Sequence, residues 1–208
     1  MIYERIKKRM ENITMSDADN VKQEIKFEIA TNWVVINGGP SSGKTTTVTH
    51  LKSLGFHSSP EAARILIDMG IASGLAIEEI RRDENEFNQS ILNIQVALEN
   101  ILLPENLCFH DRGIPDSLAY MRFDQTDESY AKEAVLKRKY LDVFLLDLLP
   151  FEKDYARTEN AEIAKYIDKL IEVTYKELRY EVTRVPVLSI EARSKFILDK
   201  LGLLNPAE

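Results

Sequence analysis

The sequence predicts an α/β fold in which helices cover both faces of a parallel sheet of about five strands. Short apolar runs alternate along the chain with longer segments of helical periodicity, and this alternation is typical of parallel sheets with helical crossovers. The 208 residues and the hydrophobic content of 44% are sufficient for a domain with a buried core. No repeat or low-complexity linker divides the chain, so residues 31–208 are predicted to form one domain.

The first 30 residues are predicted to form a peripheral arm. Residues 1–23 are polar and charged, whereas Ile25, Phe27 and Ile29 alternate with charged residues as in a short half-buried strand. The elements expected next are a buried strand over 33–36, a helix over 44–53, a strand over 55–58 and a helix that begins at Ser59-Pro60. Serine is favoured as an N-cap and proline at the first helical position.

A long helix is predicted from Asp83 to Leu103, because Asp83 and Glu86 have the spacing of a capping box. Its expected apolar face comprises Phe87, Ile91, Ile94, Leu98 and Ile101. The remaining strands are predicted at 107–110, 143–146 and 182–188, and the remaining helices at 161–179 and 191–201. Pro186 marks the last strand as an edge strand, since proline cannot donate a hydrogen bond to a neighbouring strand.

Composition excludes several classes of protein. The chain carries 27 basic and 34 acidic residues, a net charge of −7, so it has no overall attraction to nucleic acid and none is expected as its partner. The lone cysteine, Cys108, lies in an apolar run and is expected to be a buried thiol. No apolar stretch approaches the roughly 20 residues that cross a bilayer, and the N-terminus lacks a signal-peptide core. We therefore expect a cytoplasmic protein with no membrane contact.

The segment Gly38-Gly39-Pro40-Ser41-Ser42-Gly43-Lys44-Thr45 matches the phosphate-binding P-loop pattern G-x-x-x-x-G-K-[ST]. Its glycines allow the backbone to turn around an anion, and the following helix directs its positive end at the same point. Lys44 supplies a charge for the β- and γ-phosphates, and the Thr45 hydroxyl can bind magnesium. With Thr46 at its end, this segment predicts binding of ATP with Mg²⁺; the absence of an Asn-Lys-x-Asp signal favours ATP over GTP.

Asp111 follows the third predicted strand and is expected to face the magnesium ion at the same edge of the sheet as the P-loop. A dedicated ATPase usually has a second acid after this aspartate to activate water, whereas this chain has Arg112. The arginine therefore favours transfer of phosphate to a bound acceptor. The alternative is that Asp111 only caps a helix or turn.

Three further groups are candidates with alternatives open. Glu61 and Arg64 share a face after the second strand, either to bind an acceptor hydroxyl or simply to pair with each other at a helix start. Gln95 and Glu99, at positions i and i+4 beside the apolar stripe of the long helix, either border the sheet edge or form an ordinary solvated flank, and the spacing alone favours the flank. Arg157, in a segment after the fourth strand, is either a lid arginine that neutralises the transferred phosphate or a solvated loop residue.

The chain resembles a known family through three segments that occur in the same order: the P-loop through Thr46, the segment Pro60-Glu61-Ala62-Ala63-Arg64, and the segment from Asp111-Arg112-Gly113 through Asp116 to Tyr120. This is similar to the AAA-type family of predicted ATPases and kinases that includes the ribosylnicotinamide kinase domain of the bifunctional NAD-biosynthesis protein. The resemblance covers about residues 33–202. It implies a three-layer P-loop NTPase fold with strand order 2-3-1-4-5.

The resemblance also implies roles for individual residues. Asp111 and Arg112 match an aspartate–arginine pair beside the transferred phosphate, and Glu61 and Arg64 match a segment near the acceptor. Three further matches are Gln95 at a substrate-contacting glutamine of nucleoside kinases, Asp116 as a substrate contact or helix cap, and Arg157 as a lid arginine. The site so predicted comprises the catalytic residues Lys44, Asp111, Arg112, Glu61 and Arg157, with Thr45 and Asp111 as metal ligands.

Two functions are compatible with these predictions. The first is a small-molecule kinase that transfers the γ-phosphate of ATP to a hydroxyl of a nucleoside-like acceptor. The second is an ATP-dependent regulatory switch or slow ATPase that acts through a protein partner bound by the N-terminal arm.

Overall fold

A computed structural model describes residues 25–149 and 161–204. Most of the predicted N-terminal arm, and Arg157 with its predicted lid segment, lie outside these ranges. The strands are β1 Ile29–Ala30, β2 Trp33–Asn37, β3 Ser58–Ser59, β4 Cys108–Asp111, β5 Arg138–Lys139, β6 Asp142–Leu146 and β7 Val182–Val185. The helices are α1 Lys44–Ser53, α2 Ala62–Ala72, α3 Ile77–Ile80, α4 Glu84–Asn100, α5 Ile114–Asp124, α6 Ser129–Ala134, α7 Ala161–Glu177 and α8 Ile190–Lys200.

The main sheet has five parallel strands in the order β3-β4-β2-β6-β7. Numbered along the predicted strands, this order is 2-3-1-4-5, so the predicted α/β topology is confirmed. Ile36 of β2 lies opposite Asp111 of β4 and Phe144 of β6. Because the strands are parallel, their carboxyl ends meet at one edge, where the P-loop and Asp111 lie together.

The central strand β2 is buried over its full length and joins two hydrophobic clusters. Trp33 and Val35 pack into the cluster formed with α5 and α7, whereas Val34 and Ile36 pack into the cluster formed with α1 and α8. Successive strand side chains point to opposite faces of a sheet. The alternation therefore shows helices on both faces, the three-layer arrangement that the sequence predicts.

Several predicted elements differ from the observed ones. The alternating segment 25–29 forms a strand only at Ile29–Ala30, which pairs with β5 outside the main sheet; Phe27 packs against the core, with its ring centroid 5.5 Å from that of Tyr180. The second strand begins at Ser58 rather than at position 55 because Gly55, at φ 96°, belongs to the turn after α1. The fifth strand ends at Val185, before Pro186, and is an edge strand as predicted.

The face of α4 that is buried is not the predicted one. Its buried residues are Asn88, Leu92, Gln95 and Glu99. The predicted apolar residues within the helix are only half-buried, namely Phe87, Ile91, Ile94 and Leu98, and Ile101, the C-cap, is 79% exposed. The prediction was wrong because it placed the apolar residues on the buried face. They lie on a face that is turned partly towards solvent, and three polar side chains lie on the buried face.

Among the described residues, no helix combines the length and the apolar character that crossing a bilayer requires.

Leu51 and Leu54 give a matched test of the core beneath α1, since Leu51 is 0% exposed and Leu54 is 52% exposed. Leu51→Ala should lower the free energy of unfolding by about 2–5 kcal/mol because it removes buried methyl groups and leaves a cavity. Leu54→Ala should change it by less than about 1 kcal/mol. Urea unfolding of both variants measures the difference, and equal effects would contradict the packing of α1 on the sheet.

Candidate active site

The P-loop runs from the end of β2 to the start of α1 and has the backbone geometry of an anion cradle. Gly38 has φ 146° and Gly43 has φ 85°, both in the region that glycine adopts without steric cost. A Cβ on Gly38 would lie 2.7 Å from the Leu146 oxygen, so no larger residue fits. Gly43 precedes α1 and provides no side-chain cap, which leaves the first amide N–H groups of the helix available to an anion.

The Lys44 side chain lies within the loop that it is predicted to serve. Its Nζ donates to the Gly39 oxygen at 2.9 Å, and the residue is 6% exposed. Burial and the nearby Arg112 lower the pKa of Lys44 to about 8, although Asp111, Glu61 and Asp116 act in the opposite direction. The ammonium group is therefore held where a phosphate charge would restore its ordinary pKa.

Two contacts from distant parts of the chain support the loop, and sequence reasoning missed both. Arg193 of α8, which is 2% exposed, donates from Nη1 to the backbone carbonyl oxygen of Ser42 at 2.5 Å. Asp168 of α7 accepts from the Gly39 N–H at 3.0 Å and is itself paired with Arg184 at 2.8 Å. These residues are more than 120 positions away from the loop, so no local motif marks them.

Asp111 and Thr45 have the chemistry of a magnesium site. Asp111 is 2% exposed, and its Oδ1 has no hydrogen-bond partner among the described residues. Burial raises the pKa of Asp111, and a hydrogen bond from Thr45 lowers it, with the raised pKa as the net result. A buried, unpaired carboxylate oxygen beside an exposed threonine hydroxyl suits a hard cation that keeps water and phosphate oxygens as its other ligands.

Arg112 links the phosphate side of the site to Glu61. The guanidinium Nε donates to Glu61 Oε1 at 2.8 Å, and the two side chains are 17% and 20% exposed. Burial raises the pKa of Glu61, but the charge and hydrogen bond of Arg112, with Lys44 and Arg64 adding smaller effects, bring it below its ordinary value. Arg112 has φ 76°, a strained backbone conformation for a side chain of this size.

Glu61 is the N-cap of α2 and pairs with Arg112 rather than with Arg64. Arg64 is exposed and is not among the residues that line the adjacent cavity. The sequence-based placement of Arg64 beside the acceptor is therefore not supported by its position, the third residue of α2, where its side chain is exposed.

Asp116 lies behind Arg112 and connects three parts of the site. Its Oδ2 accepts from Asn37 Nδ2 at 2.8 Å, the Tyr175 hydroxyl at 2.7 Å and the Gly113 N–H at 3.1 Å. Its Oδ1 accepts from Arg112 Nη1 at 3.3 Å. Asn37 in turn accepts from the Gly38 N–H at 2.7 Å. Asp116 is 2% exposed and positions Arg112 and the start of the P-loop. Its bond from the Gly113 N–H fits the helix-cap alternative. The substrate-contact alternative stays a prediction.

A cavity of about 800 Å³ opens beside Glu61 and Arg112. Its walls include the apolar side chains Phe87, Ile91, Tyr120, Phe123, Ile163 and Ile167 and the polar side chains Glu61, Asn88, Gln95, Arg112, Asp116 and Ser117. Gln95 and Glu99 are 3% and 0% exposed, so the interpretation of this pair as a solvated flank was wrong. Gln95 lines the cavity, and Glu99 lies behind it at 3.1 Å from Gln95 Nε2.

The comparisons with known proteins agree with this architecture. A family model described as an AAA domain matches residues 33–193, and no curated protein matches the chain. Deoxyadenosine kinase from M. mycoides, with products dCMP and a flexible dCDP bound, is 15% identical with a TM-score of 0.59 over 83% of this chain and 100% of that chain. Thymidylate kinase from Ehrlichia chaffeensis is 13% identical with a TM-score of 0.59, over 83% and 99%.

The NadR protein in complex with NAD and AMP-PNP is 14% identical with a TM-score of 0.63, over 88% of this chain and 52% of that chain. The chain thus spans about half the length of that protein. These likenesses show a shared fold, and they confirm the P-loop architecture that the three sequence segments predicted.

The network around Asp116 gives a stability test. Asp116→Asn places an amide where every carboxylate contact accepts a hydrogen bond, so at least one donor should lose its partner. We expect the free energy of unfolding to fall by about 2–3 kcal/mol. Asp68→Asn, at an exposed position of α2, is the matched control and should change it by less than about 0.5 kcal/mol. Urea denaturation compares the two; equal stabilities would contradict the network.

Proposed function

The chain belongs to the P-loop family described as an AAA domain, and from this premise we propose that it is a small-molecule kinase that transfers the γ-phosphate of ATP to an acceptor hydroxyl. The observation that carries the proposal is the direct contact of Arg112 with Glu61 at 2.8 Å. This ion pair lies between the P-loop lysine and the cavity of about 800 Å³. The P-loop and a cavity that could hold a second substrate thus share one boundary, which an ATPase that uses only water does not require.

In the proposed reaction, the P-loop amides and Lys44 bind the β- and γ-phosphates of ATP. The acceptor oxygen forms a bond to the γ-phosphorus, the bond from that phosphorus to the β–γ bridging oxygen breaks, and ADP leaves. The acceptor hydroxyl loses its proton in the same process, and the Glu61 carboxylate is the proposed proton acceptor. Because Glu61 lines the cavity and its pKa lies below its ordinary value, its carboxylate is available near neutral pH to accept a hydrogen bond from that hydroxyl and orient it.

Charge neutralisation is assigned to cations on both sides of the reacting phosphate. Arg112 is fixed by Glu61 and Asp116, so it needs little rearrangement to stabilise the developing charge. Lys44 acts from the P-loop side. On the sequence alone, Arg157 is a further candidate for the same role.

Thr45 and Asp111 are the residues that would hold Mg²⁺. When bound, the ion would neutralise phosphate charge and fix the triphosphate geometry. Asp111 is not among the residues that line the acceptor cavity, which favours Asp111 for the metal and Glu61 for the acceptor.

A nucleoside-like compound is the proposed acceptor. The cavity combines apolar and aromatic side chains with polar groups such as Glu61 and Arg112, a lining that suits a flat heterocycle with a hydroxylated substituent. The structural neighbours include a deoxyadenosine kinase, a thymidylate kinase and a NadR protein in complex with NR. These support the same class without identifying the member. A cytoplasmic location fits a reaction that consumes ATP.

The proposed function is tested by incubating the full chain with Mg-ATP and a panel of nucleosides and ribosylnicotinamide. We expect acceptor-dependent ADP formation and, by mass spectrometry, a product heavier by one phosphate.

Lys44→Ala should reduce turnover by about 100-fold or more, since it removes a charge that acts on the transferred group. Lys52→Ala is the matched control, because Lys52 is an exposed lysine of the same helix. Equal hydrolysis in every well without a phosphorylated product would favour the switch or slow ATPase instead.

The lowered pKa of Lys44 predicts proton uptake on nucleotide binding. With a pKa of about 8, Lys44 is largely neutral at pH 9, and the phosphate charges should raise its pKa and protonate it. Calorimetric titration with ATP in buffers of different ionisation enthalpy should show uptake of a large fraction of one proton near pH 9. Lys44→Arg keeps its charge throughout this range, so the binding that it retains should take up none. Equal uptake by both proteins would contradict the assignment.

A further inference from the structure

The buried wall that α4 presents to the cavity contains two amide side chains, Asn88 and Gln95, on either side of Ile91. Residues seven apart lie on nearly the same face of an α-helix, about 10 Å apart along its axis. An amide side chain offers either a donor or an acceptor to a ligand, depending on which way it is turned. The contacts behind the two amides determine this orientation.

The orientation of Gln95 follows from a chain of hydrogen bonds that begins at the backbone. The Ile114 N–H donates to the Tyr140 hydroxyl oxygen at 2.9 Å. The same hydroxyl lies 2.6 Å from Glu99 Oε1 and donates its proton to it. The reverse arrangement, with a protonated Oε1 donating to Tyr140, would leave the tyrosine proton buried without an acceptor among these contacts, which is costly. Glu99 Oε1 is therefore an acceptor.

The protonation state of Glu99 does not alter this conclusion. Burial raises the pKa of Glu99, but a proton on this carboxyl would occupy Oε2, which has no partner among the described residues. Gln95 must consequently turn its NH₂ group, at 3.1 Å, towards Oε1. The same nitrogen lies 3.5 Å from the Arg112 oxygen, a second acceptor. The carbonyl oxygen, Gln95 Oε1, is thus the end of the amide left for the cavity.

Asn88 is oriented in the same sense. Its Nδ2 donates to Asp124 Oδ2 at 2.9 Å and lies 3.4 Å from Thr126 Oγ1. The carboxylate requires the nitrogen on that side, so Oδ1 is the end of this amide left for the cavity. The carboxylate of Glu84 also lines the cavity and adds a further acceptor to this wall.

We infer that α4 selects an acceptor molecule with N–H donors, such as a heterocycle with an exocyclic amino group, and that Glu99 is a positioning residue that fixes the polarity of Gln95. This inference rests on the proposed function, since it describes the second substrate of the same site. A ligand with a carbonyl oxygen in place of the amino group would present an acceptor to an amide oxygen and leave that oxygen unpaired. Sites built for a hydrogen bond reject such analogues strongly.

The test uses matched pairs that differ in one group: adenosine with inosine, and cytidine with uridine. For the full chain, kcat/KM and calorimetric Kd should favour the amino member of at least one pair by about tenfold or more. Gln95→Leu should bring that ratio close to one.

Variants of Glu99 separate positioning from general damage to the structure. Glu99→Leu removes the acceptor behind Gln95 and should reduce the amino-to-oxo ratio, although Glu99 does not line the cavity. Glu99→Gln retains an acceptor oxygen for Tyr140 and Gln95 and should preserve the ratio even if its stability is lower. A purely structural role would weaken both members of a pair equally and leave the ratio unchanged in both variants.

The outcomes distinguish this inference from the proposed function. A preference for the oxo members, equal use of both, or no binding of any of the four compounds at millimolar concentration would overturn the inference. Tight, amino-selective binding without a phosphorylated product would support the inference and overturn the kinase reaction. Phosphorylation without amino selectivity would support the kinase reaction and overturn the inference.

Discussion

The site depends on one buried carboxylate. Asp116 joins the strand that leads into the P-loop, through Asn37, to the arginine that faces the acceptor cavity, Arg112. The Tyr175 hydroxyl ties the same carboxylate to α7. Burying a charge is unfavourable unless it is fully hydrogen-bonded, and here four donors surround it. The start of the P-loop and Arg112 are thus geometrically coupled, because neither can shift without disturbing a shared buried group.

The parallel sheet places the other functional residues and could be predicted in large part from the sequence. The buried run at 33–36, the glycine-rich loop and the helix from Lys44 are local signals, and each is observed where it was expected. Asp111 follows from the same rule, since it ends the strand beside β2. These features depend on interactions between near neighbours in the chain, which periodicity and motif spacing describe well.

The remaining parts of the site depend on contacts between distant segments, which a single sequence does not encode locally. Arg193 and Asp168 support the P-loop from α8 and α7, and neither belongs to a recognisable motif. Glu61 was predicted to lie near the acceptor, but its partner is Arg112 rather than Arg64, the near neighbour that helical spacing suggested. Helical spacing identifies neighbours within one helix. It cannot show which residue of another segment lies closer to Glu61 in the folded chain.

The buried face of α4, displaced by one residue from the predicted one, shows why a hydrophobic pattern can fail at a candidate functional site. The pattern assumed that apolar side chains are buried, yet Asn88, Gln95 and Glu99 occupy the buried face while Ile101 is exposed. An unpaired polar group in a core costs free energy, so this choice is stable only because Tyr140, Asp124 and Arg112 supply partners. Those partners use the amide nitrogens and leave the amide oxygens for the cavity. A core that served packing alone would gain stability from leucine at these positions, and we therefore attribute the polar wall to recognition of a ligand.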